Sequence, residues 1–149
     1  MDLTTTGKMS RKFLEADPGT IVRKNNIRTV VLQYGIRHSI SRDICLFDGE
    51  EFIRVLNPRG ITRKSKLPRM RNIRTATREW NESHKTNKID KHAVEYCMRD
   101  SSVFKIKRGN VWLINYDQLE RVMKSYVKTH KYVPGRHLSS KKRRRRKKK

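Results

Sequence analysis

Acidic residues are scarce in this sequence. Against 38 Lys and Arg there are only 14 Asp and Glu in 149 residues, a formal charge of +24. Residues 141–149 are all Lys or Arg, so the other 140 still carry +15, and the body is basic as well as the tail. Such self-repulsion is relieved by a polyanion whose phosphates take up the charge and release counterions. Hydrophobic residues are few too, 34% against 35% charged. Any cores must therefore be thin, with folded and loose parts alternating. Cysteine is limited to Cys45 and Cys97, with no CxxC pair, which leaves a disulfide framework and a cysteine zinc site without support. No apolar run approaches the roughly 18 residues of a membrane span, and residues 1–11 lack the apolar centre of a signal peptide. The expectation is a soluble protein of the cytoplasm or nucleoid, or of the nucleus in a eukaryotic host.

Catalytic constellations are missing as well. His38, His84, His92, His130 and His137 are scattered without metal-ligand spacing, and helix capping accounts for Asp43, Asp48, Glu50 and Glu51. There is no GxxxxGK phosphate loop and no carboxylate cluster of the kind nuclease chemistry uses to hold metal ions. No enzyme, metal, cofactor or small-molecule substrate is expected.

What is present is a series of short periodic segments. Residues 1–19 read as a flexible arm ending in the turn Asp17-Pro18-Gly19, with Phe13, Leu14 and Ala16 able to form one helical turn. Ile27, Val30, Val31 and Tyr34 recur at helical spacing, and Gly35 follows as a helix stop. Residues 44–47 are an apolar β-run, and Asp48 caps a helix bearing Phe52, Val55 and Leu56. Residues 58–72 read as a basic linker able to track phosphates through Arg63, Lys64, Arg69 and Arg71. Beyond it, Ile73, Ala76, Thr77 and Trp80 share a helical face, and Asp90 caps a second helix reaching Arg99. The pattern then alternates over residues 103–107 and returns over 111–114 after the turn Arg108-Gly109-Asn110, a hairpin. A last helix carries Leu119, Val122, Met123 and Tyr126, and residues 129–149 form a basic tail, disordered in isolation.

The two halves echo each other. Residues 32–39 align with residues 94–101, and Phe52-Ile53-Arg54-Val55-Leu56 with Leu119-Glu120-Arg121-Val122-Met123. Tyr34 and Phe52 are 18 positions apart, Tyr96 and Leu119 23, and the five-residue deficit falls where the first half needs its hairpin. The fold class expected is therefore α+β, with two small winged-helix-like modules in tandem over residues 20–57 and 73–128, the first with a trimmed wing.

Within the second half, Lys107-Arg108-Gly109-Asn110-Val111-Trp112-Leu113-Ile114 leading into Asp117-Gln118-Leu119 resembles the small winged helix-turn-helix domains of phage and plasmid excisionases and their MerR-like relatives. The resemblance covers residues 73–127 and departs from the family at the long polar turn Ser83 to Lys88. It implies a wing built on the basic-Gly-basic-aromatic hairpin, with phages, plasmids and mobile elements as the setting.

On that reading the second helix offers Lys91, His92, Tyr96 and Arg99 to a duplex, with Arg99 the base-reading residue, and the wing offers Lys105, Lys107, Arg108 and Asn110. Arg37, His38 and Arg42 are the candidates in the first half, and Lys141, Lys142, Arg143, Arg144, Arg145 and Arg146 supply contacts blind to sequence. Duplex DNA is the expected partner, alongside a recombinase or replication protein. RNA or ribosome binding and virion packaging are the alternatives, although no RRM or KH signature is present.

Overall fold

Helix caps mark out the chain. Thr5, Asn72, Asp90, Asp48 and Asn115 each accept a backbone N–H of the helix that follows, satisfying donors that the first turn leaves open. A computed structural model describes residues 2–57 and 67–130, and among them there are six helices and two three-stranded antiparallel sheets in an α+β arrangement. In order these are β1 (Leu3–Thr5), α1 (Thr6–Ala16), α2 (Lys24–Gln33), β2 (His38–Ser41), β3 (Ile44–Asp48) and α3 (Gly49–Leu56). Then come β4 (Met70–Arg71), α4 (Ile73–Ser83), α5 (Lys91–Met98), β5 (Lys105–Arg108), β6 (Val111–Asn115) and α6 (Tyr116–His130).

The second set repeats the first at a constant offset of 67: Leu3 to Met70, Thr6 to Ile73, Lys24 to Lys91, His38 to Lys105, Ile44 to Val111, Gly49 to Tyr116. Sheet order is the same in both, β1-β3-β2 and β4-β6-β5, and so is the register, Leu3 opposite Asp48 and Met70 opposite Asn115. Backbone bonds outside the elements repeat as well. The Gly49 N–H donates to Asp2 O and the Tyr116 N–H to Arg69 O, both at 2.7 Å. Buried side chains correspond in kind, Phe13 with Trp80, Ile27 with Val94, Phe47 with Ile114, Phe52 with Leu119.

This geometry corrects several expectations. Residues 3–16 are not a flexible arm: β1 pairs with β3, and Met9 and Phe13, one helical turn apart on α1, are buried. The hairpin of the first half is not trimmed. His38–Ser41 and Ile44–Asp48 form a hairpin of the same strand lengths as the second, and the missed strand is one whose four residues are all exposed. Each hairpin closes through two residues, and only the first of them, Arg42 (φ 56°) or Gly109 (φ 63°), has positive φ, the pattern of a type II′ turn. The alignment of residue 32 with 94 was thus five positions out of register. The long turn Ser83–Lys88 does not loosen its helix pair, because Trp80 Nε1 donates to Asn87 O at 2.9 Å and Asn81 exchanges two bonds with Ile89.

The repeats pack head to tail. One face of the second sheet, with Ile114 and Trp112, serves its own helices. The other face, with Met70, Ile106 and Leu113, joins the core of the first repeat together with Phe104. Tyr34 meets Phe104 with ring centroids 5.6 Å apart, and Asn115 Nδ2 donates to Leu56 O at 2.9 Å. Residues 67–72 are part of this junction rather than a linker: Ile21 N–H donates to Met70 O, and Asn72 caps α4. The expected linker positions 58–66 and tail positions 131–149 lie outside the described residues.

Candidate nucleic-acid interface

In each repeat the second helix is amphipathic, burying one stripe and turning the other outward. On α5 the buried stripe is Ala93, Val94, Cys97 and Met98, so Lys91, His92, Tyr96 and Arg99 are exposed. Tyr96 leans on Tyr126, ring centroids 5.6 Å apart, and Lys91 Nζ lies 3.9 Å from Glu95. Arg99 is the C-cap of α5 and lines an open cleft of about 420 Å³ between that helix and the hairpin, together with Lys105 and Trp112. The fold thus brings Arg99 and Lys105 together. Lys105 is half-buried and its ammonium donates to Val103 O at 3.3 Å, a local use that competes with a phosphate.

At the hairpin tip Arg108 and Asn110 are exposed. Lys107 extends over the half-buried Trp112 ring, its Nζ 5.7 Å from the centroid, so the indole packs and the charge faces out. In the first repeat Arg37 and His38 begin the hairpin and Arg42 sits at its tip, all three exposed; His38 Nδ1 is 2.7 Å from Ile36 O.

Arg69 and Arg71 are not placed to track a backbone. The Arg71 side chain is 6% exposed and bridges Asp17 (3.0 Å through Nη2) to Glu79 (2.6 Å), tying the first repeat to α4. Arg69 bonds Asp117 at 2.6 Å and Glu120 at 3.1 Å and lies over the Tyr116 ring. Burial opposes the charge of both guanidiniums, but the paired carboxylates prevail and hold them above the usual arginine value. Their sequence neighbourhood is basic, and the acids that claim them are 8 to 54 positions away, out of reach of a local reading. Arg63, Lys64, Lys141, Lys142, Arg143, Arg144, Arg145 and Arg146 lie outside the described residues.

The constant offset reveals residues that the shifted alignment passed over. Lys24, Asn25 and Arg28 on α2 occupy the places of Lys91, His92 and Glu95 on α5 and are exposed. The signal was in the sequence, since Lys24 and Lys91 are one offset apart, but it needed the whole repeat to be read in one register. Burial, with Asp100 adding to it, pushes the Cys97 thiol up to about 12. Among the described residues no group of three or more His, Cys, Asp and Glu is placed to hold a metal ion, and no helix is long and apolar enough to cross a membrane. In comparisons with protein-family models, curated proteins and solved structures, nothing matches this chain.

Proposed function

We propose that this chain is a duplex-DNA-binding protein of two winged helix-turn-helix modules, acting by docking rather than by catalysis. The observation that carries the reading is the duplicated order of helix, turn, helix, hairpin and helix, each copy exposing its second helix and hairpin tip on a chain of charge +24. A helix of this kind fits a major groove, and a basic hairpin beside it reaches the flanking backbone. The same arrangement supports the likeness to excisionase and MerR-like domains, and with it a role as an accessory or regulatory factor of a phage, plasmid or other mobile element, beside a recombinase or replication protein in the cytoplasm or nucleoid. Titration of the full chain against duplex DNA, single strands and structured RNA, read by mobility shift at several salt concentrations, tests this. Duplex DNA should bind tightest, with log K falling by about 0.9 per phosphate engaged for each tenfold rise in salt. Tighter binding of structured RNA at every salt concentration would make the chain an RNA-binding protein instead.

A further inference from the structure

The two candidate reading helices hold the same place in the same fold and have opposite character. Residues 23–33 contain three cations, Arg23, Lys24 and Arg28, and no acid; residues 90–100 contain Lys91 and Arg99 against Asp90, Glu95 and Asp100. Position by position, Asn25 stands where α5 has His92, Arg28 where it has Glu95, and Leu32 where it has Arg99. On α5 the Glu95 carboxylate occupies the middle of the outward face and takes up the Lys91 ammonium. A carboxylate there opposes the approach of phosphates. On α2 the side chains of Asn25 and Arg28 are exposed, and among the described residues no hydrogen bond or ion pair engages them. These are the two residue types whose paired donors and acceptors match adenine and guanine edges.

The junction adds a constraint of symmetry. Leu113 on the outer face of the second sheet is 4% exposed in the first repeat's core, whereas its equivalent Leu46 is 38% exposed, so the contact is not reciprocated. The repeats are therefore stacked head to tail, not related by a two-fold axis, and a palindromic operator mirrors only a two-fold protein.

Resting on the duplex-DNA reading above, we infer that base recognition is confined to the first repeat. Asn25 and Arg28 of α2 read base edges and Lys24 holds a phosphate. The second repeat anchors the backbone through Lys107 and Arg108. The target is a single asymmetric site, bound by one copy of the chain.

Selection of binding sites from random duplexes with the full chain, followed by titration of the selected duplex and a random one, tests this. A short motif without palindromic symmetry should emerge. Arg28→Ala and Asn25→Ala should each narrow the preference for that motif by about tenfold or more, the scale of one lost bidentate pair. Arg28→Lys should narrow it too while keeping the salt dependence, because the charge stays and the paired geometry goes. Lys107→Ala and Arg108→Ala should weaken both duplexes alike, and Arg99→Ala and Glu95→Ala should leave the preference unchanged. The inference is overturned if Arg99→Ala or Glu95→Ala narrows the preference, or if Arg28→Ala keeps it. A palindromic motif, or duplex binding with no preference at all, overturns it equally while the duplex-DNA reading stands. Failure to bind duplex at all removes both.

Discussion

Asp48 and Asn115 perform the same task one offset apart, capping the helix after the hairpin, but only the first can titrate. Asp48 Oδ1 accepts from Glu50 N–H at 3.1 Å, Glu51 N–H at 3.4 Å and Asp2 N–H at 3.5 Å. Burial alone would raise its carboxyl pKa; the backbone donors of Glu51, Asp2 and Glu50 outweigh that and hold it below the ordinary 3.8. A carboxylate with a depressed folded value stabilises the fold above the unfolded pKa and loses that contribution as pH falls through the folded one. Asp48→Asn keeps a capping oxygen without the charge, so urea melts at pH 7 and pH 3 should show wild type ahead at pH 7 and the difference closing at pH 3. An unchanged gap would mean that the cap does not titrate. The cap role of Asp48 and the stop at Gly35 were legible in the sequence because both act on near neighbours. Arg42, at φ 56° where its counterpart is Gly109, was not, since nothing in its side chain announces a left-handed backbone. The partners of Arg69 and Arg71 were hidden for the opposite reason, their acids lying on other elements.

Among the elements, helices with a regular apolar stripe were readable and short or exposed strands were not. The spacing of Ile27, Val30, Val31 and Tyr34 gave α2, with Tyr34 its half-exposed C-cap, and the alternation over residues 103–107 and 111–114 gave the second hairpin, whose first strand begins at Lys105. α1 escaped because its face is completed by only Met9 and Phe13 while Leu14 is 52% exposed, and β2 escaped because His38-Ser39-Ile40-Ser41 buries nothing. The alternation says which side of a strand a residue takes, but not what covers that side. Leu46 and Leu113 are the same residue at the same place in two copies of one sheet, yet Leu113 is 4% exposed under the first repeat and Leu46 is 38% exposed on an open face. Leu113→Ala should therefore cost about 2–5 kcal/mol in a chemical melt, as buried leucines do. Leu46→Ala should cost less, about 1–2 kcal/mol, because more than a third of its surface stays in water in the folded chain. Equal losses at the two positions would show that the outer face of the first sheet is covered as well.

Across the whole molecule the duplication preserves burial more than identity, so the match of residues 32–39 with 94–101 is five positions out of register, whereas Phe52–Leu56 against Leu119–Met123 falls at the structural offset of 67. Met9 against Ala76 and Phe13 against Trp80 exchange volume between neighbouring turns of the same helix, and only the shared core position survives. Two modules in tandem, joined by a basic linker over residues 58–72, were expected; in the structure the outer face of the second sheet supplies Met70, Ile106 and Leu113 to the first repeat's core, and the Asp17–Arg71–Glu79 bridge crosses the same junction. Unfolding the first repeat alone would expose that apolar face to water and break the Asp17–Arg71 pair. The chain should consequently unfold as one unit. Each repeat carries its own probe, a buried thiol at Cys45 in the first and at Cys97 in the second. Protection of the two thiols from alkylation should be lost at the same urea concentration, coincident with the fluorescence change of Trp80 and Trp112, and Arg71→Met should move the midpoint of all these probes together. Earlier exposure of Cys45 than of Cys97 would show that the junction does not couple the repeats.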